Sequence, residues 1–216
     1  HYHTAVDENG NVTNAFFVTL GDKPDLRFSS NVNFSVAYWC RFPAFNGVGD
    51  LGDLPFIATA VNSYGGAGFT FAPSYQLGSW SYSLNGNVQL YGPDYLIDDG
   101  NWHHLVHTFD RTGVAVTYLD GKQADVRAAS AAGNLDTGNP VTIGQSPSGV
   151  YPEEGYYDID DIGIWRRALS PLEAVGVYLA ATLANSSFVD ITPSIAAGPS
   201  ANQVTVTWQA GTLQSS

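Results

Sequence analysis

The chain has no methionine, a single cysteine and only eight lysines and arginines among its 216 residues. With Cys40 alone, an intramolecular disulfide, a cysteine-based zinc cage and an iron–sulfur cluster are all excluded. Flanked by Trp39 and Arg41, that thiol reads as a small core filler rather than a nucleophile. Twenty Asp and Glu leave a formal charge of −12, and such a surface repels nucleic-acid phosphates and anionic lipid. Neither nucleic acid nor membrane insertion is expected. No apolar run reaches the roughly 18 residues that a spanning helix needs. A Gly-x-Ser-x-Gly elbow is missing, and no Ser or Cys stands at a recognisable spacing from His107, so a nucleophilic triad is unsupported.

What is present is length enough to hide about 70% of the extended-chain surface without staples, and a pattern of period two. Short apolar–polar alternations are separated by Gly, Asn, Pro and Asp clusters, the signature of half-buried strands. Strands are expected at 15–20, 34–42, 55–61, 68–71, 79–84, 103–110, 114–119, 141–143 and 159–166. Asn85-Gly86 and Asp120-Gly121 suit the positive φ of tight hairpins. One helix is expected from Ser170, where Ser-Pro-Leu-Glu forms a capping box with Pro171 at the first helical position. Its stripe of Leu172, Val175, Leu179 and Leu183 is expected to face a sheet. Beyond Asn185 a Pro, Ser and Ala stretch precedes a new alternating segment at Val204–Trp208, which either pairs with the main sheets or stands apart. No leader precedes His1, so the sequence is read as a mature product or a piece of a longer chain.

Three stretches carry a resemblance. They are Asn33-Phe-Ser-Val-Ala-Tyr-Trp-Cys-Arg41; Asp99-Gly-Asn-Trp-His-His-Leu-Val106 running on through Tyr118-Leu-Asp-Gly-Lys122; and Val141-Thr-Ile-Gly144 followed by Tyr157-Asp-Ile-Asp-Asp-Ile162 and Arg167-Ala-Leu-Ser-Pro171. In order and spacing they resemble the laminin-G-like, concanavalin A-like lectin/glucanase domains of secreted bacterial proteins. The resemblance implies an all-β fold, a two-sheet antiparallel jelly-roll sandwich with one short C-terminal helix and an extra C-terminal strand. Residues 1–190 would form that domain, and 191–216 a linker and the start of an immunoglobulin-like module.

The same resemblance implies a calcium ion tying the start of the sandwich to its last strand. Asp160 of the Ile-Asp-Asp motif matches one ligand, and the Gly21-Asp22-Lys23-Pro24-Asp25 turn would supply another from Asp22 or Asp25. The acidic Asp7-Glu8-Asn9-Gly10-Asn11 stretch lacks the bidentate Glu at the twelfth position, which is Val18, and reads as an Asn-Gly turn.

Function is expected to be non-catalytic: a carbohydrate-binding or adhesion module, secreted or on the cell surface, with a polysaccharide, glycan or other surface protein as partner. Ring faces stack on sugar C–H faces while polar neighbours hold the hydroxyls. Alternation buries Trp80, and the resemblance puts Trp39, Trp102 and Trp165 in the core. That leaves loop residues Tyr64, Tyr151 and Tyr156 as the candidate sugar contacts. The rival is a glycoside hydrolase or lyase using Asp158, Asp160 and Asp161. Retaining jelly-roll glucanases use Glu-x-Asp-x-Glu, whereas here Asp158 replaces the first Glu and Ile162 and Gly163 stand where the second would fall. A purely structural spacer is the third reading. His103 and His104 are neighbours on a strand, point to opposite faces and cannot share a metal.

Overall fold

The alternating segments pair, in the computed structural model, into two antiparallel sheets that face each other across an aromatic core. The structure describes residues 2–9, 11–42, 54–61, 66–74, 78–149, 151, 155–183, 194–197 and 204–207. The strands begin with β1 (Tyr2–Val6), β2 (Val12–Ala15), β3 (Val18–Gly21), β4 (Phe34–Arg41), β5 (Ile57–Ala58), β6 (Phe69–Ser74), β7 (Ser79–Leu84) and β8 (Val88–Tyr91). They continue with β9 (Trp102–Phe109), β10 (Val114–Leu119), β11 (Lys122–Ala128), β12 (Val141–Ile143) and β13 (Gly155–Trp165), followed by helix α1 (Pro171–Leu183), β14 (Ser194–Ala197) and β15 (Val204–Thr207). One sheet has the order β11-β10-β9-β4-β13-β1-β2, the other β3-β12-β5-β6-β7-β8. This is a jelly-roll sandwich. Among the described residues β15 pairs with β14 and with neither main sheet.

Strand β4 shows how alternation builds the layers. Phe34, Val36, Tyr38 and Cys40 are fully buried in the core between the sheets, while Ser35, Ala37, Trp39 and Arg41 take the outer face. Phe34 stacks between Phe28 and Phe109, with centroids 4.5 Å away on each side. Both expected hairpins form: Asn85 and Gly86 have φ of 51° and 69°, Asp120 and Gly121 of 49° and 74°. Positive φ at both central residues matches the right-handed twist of the flanking strands.

Two expectations need correction. The segment 15–20 is not one strand, because the chain leaves the edge of the first sheet after β2 and enters the edge of the second at β3. Phe16 and Phe17 make that crossing, and Phe16 remains 60% exposed. The capping box of α1 forms, Ser170 Oγ accepting from Glu173 N at 3.3 Å and Glu173 Oε2 from Ser170 N at 2.8 Å. Its buried stripe, however, is not the one expected: Leu172 and Leu179 are exposed, and the side chain of Leu183 lies outside the described residues. Ala174 and Val177 instead pack on Ala37, Val106, Tyr118 and Leu169. The small Ala174 lets the helix axis approach the outer face of the sheet, which longer side chains there would hold off.

A bulge interrupts the pairing of β13 with β4. Asp160 sits opposite Trp39 and Gly163 opposite Ala37, so two residues, Asp161 and Ile162, face the single Tyr38. Asp161 takes φ of +46°. The extra residue changes the phase of the strand: Tyr157 and Ile159 point to the core before it, Ile162 and Ile164 after it.

Candidate binding groove

The outer face of the seven-stranded sheet is covered by α1 over only part of its width. Where that cover ends, a shallow groove of about 230 Å³ opens, lined by Trp39, Trp102, Asp160 and Asp161. Each wall has a structural cause. Trp39 lies on the outer side of β4 by parity, and its ring packs on His104 and Tyr178, with centroids 5.0 and 5.9 Å away. Trp102 opens β9 opposite Arg41 and is 38% exposed. The bulge turns Asp160 and Asp161 outward together, although adjacent strand residues ordinarily face opposite ways. Burial and the neighbouring charge of Asp160 raise the carboxyl of Asp161 above the usual range.

Beside the groove, Arg41 donates from Nε to Asp158 Oδ2 at 2.9 Å and also pairs with that carboxylate through Nη2. The Arg41 guanidinium lies 5.1 Å from the Trp102 ring centroid, within cation–π range. Asp158 is therefore already neutralised. Among the described residues no Lys, Arg or His forms an ion pair with Asp160 or Asp161.

Trp39 and Trp102 were expected in the core; both instead face the groove, because β4 and β9 turn their odd and even positions respectively to the outer face. Trp80 is fully buried as expected, and Trp165 is half-buried under α1. Of the tyrosines, Tyr64 lies outside the described residues. Tyr151 packs half-buried against the core and exchanges two backbone hydrogen bonds with the Gln145 side chain. Tyr156 pairs with His3 between β13 and β1, and its side chain lies outside the described residues.

The expected calcium turn is built differently. Asp22 is held by Arg27, whose Nε donates at 2.8 Å. Arg166, at the end of β13, donates from Nη1 to the carbonyls of Asp25 and Arg27 at 2.8 Å each and to that of Pro24 at 3.4 Å. Asp160 stands six residues before Arg166, five register steps once the bulge is counted, and so roughly 17 Å away at strand rise. Calcium takes six to eight oxygens, and the carbonyls of this turn already accept from a guanidinium. No group of three His, Cys, Asp or Glu poised for a metal occurs among the described residues. Asp22 and the carbonyls of the turn are thus engaged by the guanidinium groups of Arg27 and Arg166. Start and end of the sandwich do meet here, through Arg166. Replacing Arg166 by Ala is expected to cost about 1–2 kcal/mol, given hydrogen bonds from a charged donor at an exposed site. Thermal melts check this. The Asp7 turn holds itself: Asp7 Oδ1 accepts from the backbone N–H of Asn9 and of Asn11 at 2.9 Å.

The histidines divide by face as expected. His103 contacts Asp120 from Nδ1 at 2.9 Å and Asp99 from Nε2 at 3.0 Å. His104 packs on the outer face beneath Trp39. His107 is buried in the core, between the Tyr38 hydroxyl and Thr117 Oγ1, each 3.0 Å away.

Residues 13–174 match the sequence profile of the Concanavalin A-like lectin/glucanases superfamily. Over 165 residues the chain is 22% identical to botulinum neurotoxin type X of Clostridium botulinum, covering 71% of this chain and 11% of the toxin. Among solved structures it resembles the binding domain of Paraclostridial Mosquitocidal Protein 1, with a TM-score of 0.63 at 14% identity over 85% of this chain and 47% of that one. The binding domain of botulinum neurotoxin serotype G gives a TM-score of 0.62 at 16% identity, over 90% and 48% of the two chains. A heptameric SAP-like pentraxin from Limulus polyphemus gives 0.51 at 16% identity, over 75% and 80%. The chain thus spans about half the length of the toxin binding domains it resembles and about a tenth of the whole toxin. At these identities the structural likeness is one of fold. Among the described residues no helix is long and apolar enough to cross a membrane.

Proposed function

The chain belongs to the concanavalin A-like lectin/glucanase superfamily, and on that premise we propose that it is a non-catalytic carbohydrate-binding module of a larger extracellular protein. The observation that carries this reading is the groove of Trp39, Trp102, Asp160 and Asp161. Indole faces suit the C–H faces of a pyranose, and carboxylates accept hydrogen bonds from its hydroxyls. The relatives named as binding domains support recognition as the general role. An extracellular setting is supported by those same toxin relatives.

The acids of the groove favour recognition over hydrolysis. A retaining glycosidase sets two carboxyls about 5 Å apart on opposite sides of the scissile bond. Here Asp160 and Asp161 are consecutive on one strand and Asp158 is tied to Arg41.

A panel of immobilised polysaccharides tests the proposal. The wild type should be retained by at least one, and Trp102→Ala should weaken that binding about 10- to 100-fold, the loss typical of an aromatic anchor. Because Trp102 is 38% exposed and also carries the Arg41 contact, melts of the variant, run alongside, separate lost binding from lost stability. Retention that ignores both Trp102→Ala and Trp39→Ala would move the site elsewhere, and release of reducing sugar would make the protein an enzyme.

A further inference from the structure

We propose that the sugar unit seated in this groove carries a free ammonium group, so that the ligand is a polysaccharide of non-acetylated amino sugars. The inference rests on the reading of the groove as a glycan site and adds the charge of its ligand.

The walls come first. Trp39 and Trp102 line the groove together, and an indole face carries the negative lobe of the ring quadrupole, which attracts a cation laid over it. Trp102 already uses that property: the Arg41 guanidinium covers it at 5.1 Å. Trp39 has His104 and Tyr178 as its aromatic neighbours and no guanidinium over its ring among the described residues.

The charge of the groove comes second. Arg41 and Asp158 cancel one another, which leaves the carboxylates of Asp160 and Asp161 without a cationic partner among the described residues. Their side-by-side placement is produced by the bulge and gathers two negative charges on one side of the groove. A ligand ammonium over the Trp39 ring offsets that negative charge in the same step that it gains the ring contact. A neutral hexose offers hydroxyls but no charge. Uronic, sialic or sulfated sugars would bring a third negative charge to a surface already at −12 overall. N-acetylation removes the positive charge while keeping the ring, and so isolates the feature being recognised. The volume of about 230 Å³ lies below the range of drug-sized pockets and suits a single ring of a longer chain.

The test is calorimetric titration with three β-1,4-linked tetrasaccharides, of glucosamine, N-acetylglucosamine and glucose, at low and at high salt. The glucosamine oligomer should bind at least about tenfold more tightly than the other two, a preference of one decade in Kd, and the advantage should shrink at high salt. Asp160→Asn/Asp161→Asn should erase the preference without lowering the melting temperature. If all three oligomers bind alike and Trp102→Ala still weakens them, the ammonium inference is overturned while the glycan site stands. If Trp102→Ala and Trp39→Ala change nothing for any oligomer, the glycan site itself is lost. Calcium chloride titrated alone is the remaining arm: a rise in melting temperature that the double Asn variant abolishes would give the two carboxylates to a metal and overturn the inference.

Discussion

Between pH 7 and pH 4 the protein is expected to lose about 3–6 kcal/mol of unfolding free energy, chiefly through two histidines. His107 sits in the core among Phe71, Tyr82 and Tyr38, and burial pushes its imidazole down to about 3. His104, packed between the sheet and Trp39, is pushed down to about 4, again by burial. In the unfolded chain both titrate near 6.5. Above that value both states are neutral and the histidines cost nothing; below it only the unfolded state takes up protons, so stability falls until the folded-state values are reached. Each histidine contributes a slope of up to about 1.4 kcal/mol per pH unit.

Three groups oppose the loss. His103, with a carboxylate on each ring nitrogen, is raised, first by its hydrogen bond to Asp120, so its share of stability is present at low pH and is lost as pH rises through its folded value. Asp98 and Asp161, both raised by burial, act in the same direction. Asp99, lowered to about 2 mainly by hydrogen bonds with Asn101, contributes stability that is lost only below pH about 4. Urea unfolding at unit pH steps measures the net slope. His107→Gln should flatten it by about one proton's worth, and a wild-type stability that does not change from pH 7 to 4 would contradict the assignment.

The second large effect concerns the bulge. Deleting Asp161 should cost about 2–4 kcal/mol, because the shortened strand cannot keep both Ile159 and Ile162 on the core face, and these partly buried side chains each carry somewhat less than the roughly 1.5–3 kcal/mol of a fully buried Ile. The displaced set is a pair, Ile162 with Ile164 or Tyr157 with Ile159. Against a total stability of about 5–15 kcal/mol such a loss takes a large share of the margin. Replacing the same residue by Gly should act oppositely. Asp161 has φ of +46°, a conformation that costs a residue with a Cβ more than it costs Gly, so Asp161→Gly should gain about 0.5–1 kcal/mol. The same change removes a carboxylate from the groove and should weaken ligand binding. Stability up and affinity down from one substitution is the pattern expected where strain is kept for function.

The sandwich was legible because its strands obey period two: Phe34, Val36, Tyr38 and Cys40 alternate cleanly, and the Asn85-Gly86 and Asp120-Gly121 turns announce their hairpins. The helix start was equally plain from Ser170 and Glu173. The stripe of α1 was not, since Leu172 and Leu179 outrank Ala174 in hydropathy yet the sheet accepts the smaller residue. Trp39 shows what parity alone would have given: it is out of phase with Phe34, Val36 and Tyr38, so the alternation that buries them places it on the other face. Trp102 is out of phase with Leu105 and Phe109 in the same way, but it stands at the first residue of its strand, where alternation is least marked. The bulge left a trace in Ile159-Asp160-Asp161-Ile162, where two polar residues separate apolar ones and strict alternation fails. The link through Arg166 carried no local signal, since its partners are carbonyls about 140 residues earlier.

The most direct test of the groove is an ¹H–¹⁵N correlation spectrum of the indole N–H groups during titration with a retained oligosaccharide. Five tryptophans give five indole signals. Those of Trp39 and Trp102 should shift in a saturable way, while those of Trp80, buried in the core, and Trp165, under the helix, stay in place. Saturable shifts confined to other indoles, with Trp39 and Trp102 unmoved, would contradict the account.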